Sequence, residues 1–448
     1  MLSLGCSIKI CALCRPIKGQ ASGTSHLELA KPIQPSPMNI LLIHQNFPGQ
    51  FKHLGPALAR LGHKVVAMTM KRMDPGVWEG VTLVPYRPAK GTTVGIHPWV
   101  GDFETKVIRG EACLHTAMKL KEEGFEPDVI VAHHGWGESL FLKELWPQAG
   151  MGIYCEFYYH ADGADVDFDK EFPQTDLAER CRLRLRNLNN MVHFEVADRG
   201  ISPTKWQAST FPEHFRSKID VIHDGIDTNA LVPNPRIAMR LAEDVHIHKG
   251  DEVITFVNRN LEPYRGYHTF MRALPKILSE RPNARVLIVG GDDVSYGSRP
   301  QDGQSWREIY WNEALPKMNE QMRSKVHFLG HVPYDQFVAL LQISSVHVYF
   351  TYPFVLSWSL LEAMSVGCAI VASDTQPLKE AIVHNETGRM VSFFEPEKLA
   401  KEVCDLLADT TLRERLGRNA RLFAQQNYDL HSVCLPRQIE WVNSLANR

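Results

Sequence analysis

Short apolar runs that end in polar, glycine-containing turns alternate with amphipathic stretches along most of residues 38–430. Met38–His44 reads as a strand, and Phe51–Leu61 as a helix with Leu54, Leu58 and Leu61 on one face. Lys64–Met68 is the next strand. Further strands are predicted over Val81–Val84, Asp128–Ala132, Ile153–Phe157 and Ile219–His223, with a long helix over Gly101–Lys121. A second series follows, with strands over Val253–Val257, Arg285–Val289, Val326–Leu329, Val346–Phe350 and Cys368–Ala372. Its helices are predicted over Tyr267–Ser279 and Asp335–Ser344, and between Glu395 and Gln426. Continuous apolar strands separated by helices belong to parallel sheets covered on both faces. The pattern predicts an α/β protein of two Rossmann-like domains facing each other across a cleft. The first spans 38–215 and the second 216–430, and a last helix within 431–448 returns to the first. Pro233, Pro235 and the charged stretch up to Asp251 read as the linker zone.

Residues 1–37 differ from the rest: basic, acid-poor before Glu28, and closed by Pro32, Pro35 and Pro37. They are expected to be a disordered extension or a misassigned start; a signal or transit peptide is the weaker reading. The chain of 448 residues is 44% hydrophobic and 22% charged with a net charge of −2, so it lacks the overall basic field that nucleic-acid binding uses. No apolar run approaches the ~18 residues that span a bilayer. Nine scattered cysteines, several inside predicted strands and helices, fit reduced thiols and a cytoplasmic location. Cys11 and Cys14 have no second pair at zinc spacing, and no metal site is expected. Arg180-Cys-Arg-Leu-Arg-Leu-Arg186 alternates basic and apolar residues. A solvated face is the preferred reading; peripheral contact with anionic lipid or a polyanion is the other.

Chemistry gathers where predicted strands end. Arg259 and Arg265 bracket a strand-to-helix turn, where two guanidiniums and a helix N-terminus can hold a diphosphate. His134 and Glu138 follow the strand ending at Ala132; Glu156 lies near the end of the next predicted strand, and His160 follows it. A histidine at such a place is equally a ligand-facing or a satisfied structural residue. Gly49, after the first strand, and Gly290, after Val289, are glycines in turns where backbone amides can approach an anion.

The stretch from 253 to 391, and more loosely 38–445, resembles the retaining glycosyltransferases of the GT-B fold, of the family 4 or group 1 kind. Arg259…Arg265-Gly266 looks like that family's phosphate clamp, with Arg265 in the place of a lysine. His331-Val332-Pro333 matches the loop that meets the nucleotide base. Leu361-Glu362-Ala363-Met364 matches the segment whose Glu binds the ribose, and Glu380 a Glu near the end of the sheet. Gly49 resembles the glycine of the amino-terminal loop. The sequence departs from the family at Phe354, which stands where a first carboxylate is usual, in Tyr352-Pro-Phe-Val355 ahead of Ser357. The paired glycines expected before Glu380 are replaced by Thr375-Gln376-Pro377.

The resemblance implies a hexosyl transfer with retention, without metal or other cofactor, from a nucleotide-sugar donor to a glycan or lipid-linked acceptor, as in polysaccharide biosynthesis. Arg259, Arg265 and His134 are the implied catalytic residues. Glu362, His331, Val332, Gly290 and Leu361 are assigned to the nucleotide. Gly49, Glu138, Glu156, His160, Phe354, Ser357 and Glu380 are assigned to the donor sugar or acceptor. A non-catalytic nucleotide-sugar-binding protein and a nucleotide-sugar epimerase remain open beside this reading.

Overall fold

The computed structural model describes residues 36–71, 76–173, 176–242, 245–301 and 303–446. The expectation for residues 1–37 therefore falls almost wholly outside the described residues. The amino-terminal domain is built on β1 (Asn39–Ile43), β2 (Lys64–Thr69), β3 (Val77–Trp78), β4 (Val81–Pro85), β5 (Val129–Ala132), β6 (Gly150–Tyr154), β7 (Arg199–Ser202) and β8 (Ile219–Val221). They form one sheet in the order β3-β4-β2-β1-β5-β6-β7-β8, parallel except for the β3–β4 pair. Successive residues of each strand serve opposite faces. Ile40, Leu42, Val65, Ala67, Val129 and Val131 pack on Leu54 and Leu58, whereas Leu41, Ile43, Val66, Met68 and Ile130 meet Cys113 and Ala117 of helix Gly101–Glu122 and Phe125 just beyond it.

The carboxyl-terminal domain carries β9 (Ala238–Ala242), β10 (Val245–His248), β11 (Val253–Asn260), β12 (Arg285–Gly291), β13 (Val326–Gly330), β14 (Val346–Tyr349), β15 (Ala369–Ser373) and β16 (Arg389–Val391). Its main sheet is fully parallel, in the order β13-β12-β11-β14-β15-β16. One face packs on helices Tyr267–Glu280 and Pro396–Ala408, the other on Tyr334–Ile343, Trp358–Ser365 and Thr410–Tyr428.

Three details differ from the sequence reading. β8 pairs with β7, so the first sheet runs past residue 215. The segment read as linker folds into an antiparallel β9–β10 hairpin that buries Met239, Leu241 and Ile247 against β11 and β12. β6 stops at Tyr154, which puts Glu156 beyond the strand rather than in it.

The chain crosses between the domains twice, at 222–231 and 428–434. The two passes are joined by backbone bonds between Ile226 and Tyr428 or Leu430, and by Thr228 Oγ1 donating to Asp429 (2.6 Å). The final helix, Leu435–Ala446, lies on the amino-terminal sheet through Trp441, Val442 and Leu445. It can approach because β6 has glycines there: a Cβ at Gly150 would stand 2.1 Å from the Leu445 carbonyl oxygen, and one at Gly152 2.4 Å from the Trp441 ring.

Candidate active site

In each sheet the strand order reverses beside a central strand, between β1 and β5 and between β11 and β14. Open α/β sheets bind ligands at the carboxyl ends of strands at such a point. The two sets of strand ends face a common cleft of about 1240 Å³.

On the carboxyl-terminal wall, Arg259 at the end of β11 is exposed, and its carbonyl accepts a bond from His331 Nε2 (2.9 Å). Arg265 is only 6% exposed. Its Nη1 donates to Thr351 Oγ1 (2.7 Å), and its guanidinium lies 4.9 Å from the centre of the Tyr296 ring. Among the described residues no carboxylate pairs with it; the neighbouring Glu262 spends its oxygens on the backbone N–H groups of Ser295, Tyr296 and Gly297. A buried cation without a counter-charge is costly, and it opens on the cleft. Gly266 follows in the left-handed region (φ 70°), where a Cβ would lie 2.4 Å from that of Phe350; only glycine fits this turn into helix Tyr267–Glu280.

Glu362 projects into the same cleft from helix Trp358–Ser365. Tyr334 OH donates to its Oε1 (2.7 Å), leaving Oε2 open. Burial raises its pKa, opposed by the Tyr334 bond and the charge of Lys52. Ser357 caps this helix and, with His331 and Val332, lines the cleft. Gly290 adopts φ 155° and sits behind the wall, its Cβ position 2.7 Å from Leu261.

On the amino-terminal wall Gly49 (φ 44°) folds over His44, leaving no room for a side chain: a Cβ would stand 2.1 Å from His44 Nε2. Lys52 follows and reaches over the Tyr334 ring of the opposite wall (5.9 Å to its centre). Glu156 faces the cleft with its side chain 43% exposed. Desolvation by the surrounding cleft walls, together with the nearby Asp224 charge, lifts its pKa to about 7. Asp224 lies on the floor, where it accepts from Tyr154 OH (3.0 and 3.1 Å) and from Trp358 Nε1 across the domains (2.8 Å). Its pKa rises to about 6 through burial, held back by those bonds.

Several assignments made from sequence are corrected by the geometry. His134 is 2% exposed, lies off the cleft, and its Nε2 pairs with Asn190 Oδ1 (2.7 Å). Burial lowers its pKa to about 4, which suits a neutral structural imidazole. Glu138 is fully buried and accepts from Tyr86 OH (2.7 Å). His160 donates to the Thr210 carbonyl (2.6 Å) and lines a separate cavity of about 660 Å³. Leu361 is core: one position along the helix from Glu362 turns its side chain to Leu341 and Met364. Phe354 points away from the cleft into Phe157, Tyr264 and Tyr296, while its carbonyl accepts from Trp206 Nε1 (2.9 Å). Glu380 caps helix Lys205–Thr210 from the other domain, accepting from the backbone N–H of Lys205 (2.9 Å) and of Trp206. In the basic segment Arg180 pairs with Asp162, Arg182 with Glu179, and Arg186 stacks on Tyr159, so most of its charge is spent within the molecule.

Asp224, Lys52, Tyr296, Tyr334 and Trp358 escaped the sequence reading. The signal for Asp224 was its place after β8, in a His-Asp-Gly turn that also reads as a plain turn. Asp169, Glu171 and His268 bring ligand-type atoms within 4.8 Å of one another. Glu171 is already bidentate with Arg272 and Asp169 lies 3.0 Å from His268 Nε2, so the trio serves as a seam between domains. No helix among the described residues is long and apolar enough to cross a membrane.

Residues 61–231 match the family described as "Glycosyl transferase family 4 group", and residues 240–423 "Glycosyl transferases group 1". Spore coat protein SA of Bacillus subtilis is 26% identical over 50% of this chain and 58% of its own length. The chain thus spans little more than half of that relative. D-inositol 3-phosphate glycosyltransferase of Segniliparus rotundus is 22% identical over 82% of this chain and 78% of its own. Among solved structures, sucrose-phosphate synthase from Thermosynechococcus elongatus superposes with TM-score 0.65 at 18% identity, covering 92% of this chain and all of that one. Anabaena HepE in complex with UDP-glucose gives TM-score 0.62 at 15% identity over 91% of this chain and all of that one. These likenesses show the GT-B fold.

Proposed function

The chain belongs to the family 4, group 1 glycosyltransferases, and on that premise we propose that it moves a sugar from a nucleoside diphosphate donor to a hydroxyl of a glycan or lipid-linked acceptor, with retention at the anomeric carbon. The observation that carries this reading is Arg265, a buried guanidinium with no carboxylate partner among the described residues, opening on the cleft. A donor diphosphate supplies the missing charge. Arg259 at the cleft's surface gives the second contact, and the open oxygen of Glu362 accepts a ribose hydroxyl. The base then lies toward His331 and Val332. As the sugar–phosphate bond breaks, negative charge grows on the diphosphate, and two fixed cations stabilise that state more than the ground state. The reading invokes no metal, because the guanidiniums supply the positive charge. The fold shared with HepE, solved with UDP-glucose, supports a nucleotide-sugar donor.

Turnover tests this directly. Arg259→Ala is expected to lower kcat/KM by on the order of 10²-fold or more, as for the loss of one transition-state charge contact, with an unchanged melting temperature. Undiminished activity in that variant would remove the clamp.

A further inference from the structure

Most carboxylates that face the cleft are already occupied. Glu262 takes three backbone N–H groups, Asp224 takes Tyr154 and Trp358, Asp227 takes the N–H groups of Asn229 and Ala230, and one oxygen of Glu362 takes Tyr334. The Glu156 side chain accepts no hydrogen bond from any described residue. Its backbone, by contrast, is fixed: the Glu156 carbonyl accepts from Gln207 Nε2 (2.9 Å).

A second, independent feature lies behind it. His133 is 1% exposed, and neither ring nitrogen has a hydrogen-bond partner among the described residues. The ring is held flat between Trp136 (4.3 Å between centres) and Tyr154 (5.2 Å), with Nε2 directed at Glu156 Oε2 across 3.8 Å. That separation is too long for a hydrogen bond. Two polar groups are thus left waiting around one point of the cleft.

We propose that Glu156, backed by His133, is the acceptor-binding residue of this cleft, and that it takes the attacking hydroxyl of a sugar or polyol that carries no anionic group. The proposal rests on the glycosyltransferase reading above. The charged or titratable groups around Glu156 are Asp224 from the hinge, His133 from the turn after β5, and Tyr154 and Tyr159 from its own segment. None is a fixed cation, so a phosphate or carboxylate beside the attacking hydroxyl would meet two acids and no counter-charge. Glu156 would act as a positioning group through a hydrogen bond.

The test uses the whole chain and the nucleotide sugar that binds it, with glucose, myo-inositol and glucuronic acid as acceptors. The expected result is transfer to glucose or myo-inositol in preference to glucuronic acid. Glu156→Gln should raise the acceptor KM about tenfold or more while the nucleotide Kd stays within twofold. In the wild type, kcat/KM for the acceptor should climb with pH through about 7 as the carboxylate forms; the Gln variant should be flat there. If Glu156→Gln does not fold, Glu156→Asp, which withdraws the carboxylate by one methylene, should show the same KM rise. An unchanged acceptor KM, an equal loss of nucleotide affinity, or preference for glucuronic acid would each overturn the proposal. Failure of the wild type to bind any nucleotide would overturn the function itself, a separate result seen before any acceptor is added.

Discussion

Arg265 and Glu138 show how the same kind of evidence divides at the residue scale. Both are buried charged side chains near strand ends, yet Arg265 opens on the cleft without a counter-ion while Glu138 is closed off beneath Tyr86. Burial raises the Glu138 pKa above its ordinary value, so its ionised form weakens the fold. The sign follows from linkage: a carboxyl with a raised folded-state pKa contributes stability at low pH that is lost as pH climbs from the unfolded toward the folded value. Glu138→Gln keeps an acceptor for Tyr86 and removes that loss. Its melting temperature should match the wild type near pH 4, below the ordinary glutamate value, and exceed it near pH 8, in a thermal-shift series across pH; a deficit at pH 8 would mean the carboxylate is needed ionised. The cleft positions legible in the sequence were those set by local backbone: Gly49, Arg259 and Arg265 sit at or beside strand-to-helix turns, and Glu362 on the helix that follows one. Asp224 and Glu380 were not, because their partners Trp358 and Lys205 lie 134 and 175 residues away along the chain.

The elements themselves were readable because buried parallel strands are uniformly apolar and their helices are amphipathic. Misreadings fell where local chemistry pointed one way and packing another. The β9–β10 hairpin hides between prolines and charges, yet Met239, Leu241 and Ile247 alternate inward along its strands and are covered by β11 and β12. The helix Leu435–Ala446 is the clearest case of an element fixed by a distant one. Trp441 is 3% exposed against the glycines of β6, which admit nothing larger. Trp441→Ala should cost about 3–5 kcal/mol, as large core truncations do. Chemical denaturation would show it as a lowered midpoint; a loss under about 1 kcal/mol would mean the helix contributes little to the fold.

In the molecule as a whole, the loop after β6 leaves the amino-terminal domain and docks on the other one. Asp165 accepts from Tyr264 OH (2.7 Å), Asp169 from Tyr352 OH (3.1 Å), and Glu171 pairs with Arg272 (2.7 Å). Phe157 packs on Phe354, and Phe168 on Tyr352 and Phe393. With the Glu380 cap and the Asp224–Trp358 bond, these contacts hold the two walls face to face, so that Arg259, Arg265 and Glu362 of one wall share a single cleft with Lys52 and Glu156 of the other. Two facing Rossmann-like sheets were legible from the alternation of elements; this seam was not, because it joins aromatic and acidic residues that each read locally as loop. The proposed function rests on a nucleoside diphosphate bound in the cleft through Arg259, Arg265 and Glu362. Calorimetric titration of the wild type, Arg259→Ala, Arg265→Lys and Glu362→Ala with UDP, GDP and ADP tests it most directly. One nucleotide should bind the wild type, and each variant should weaken it about tenfold or more while keeping its melting temperature; no binding to the wild type, or undiminished binding to all three variants, would contradict the account.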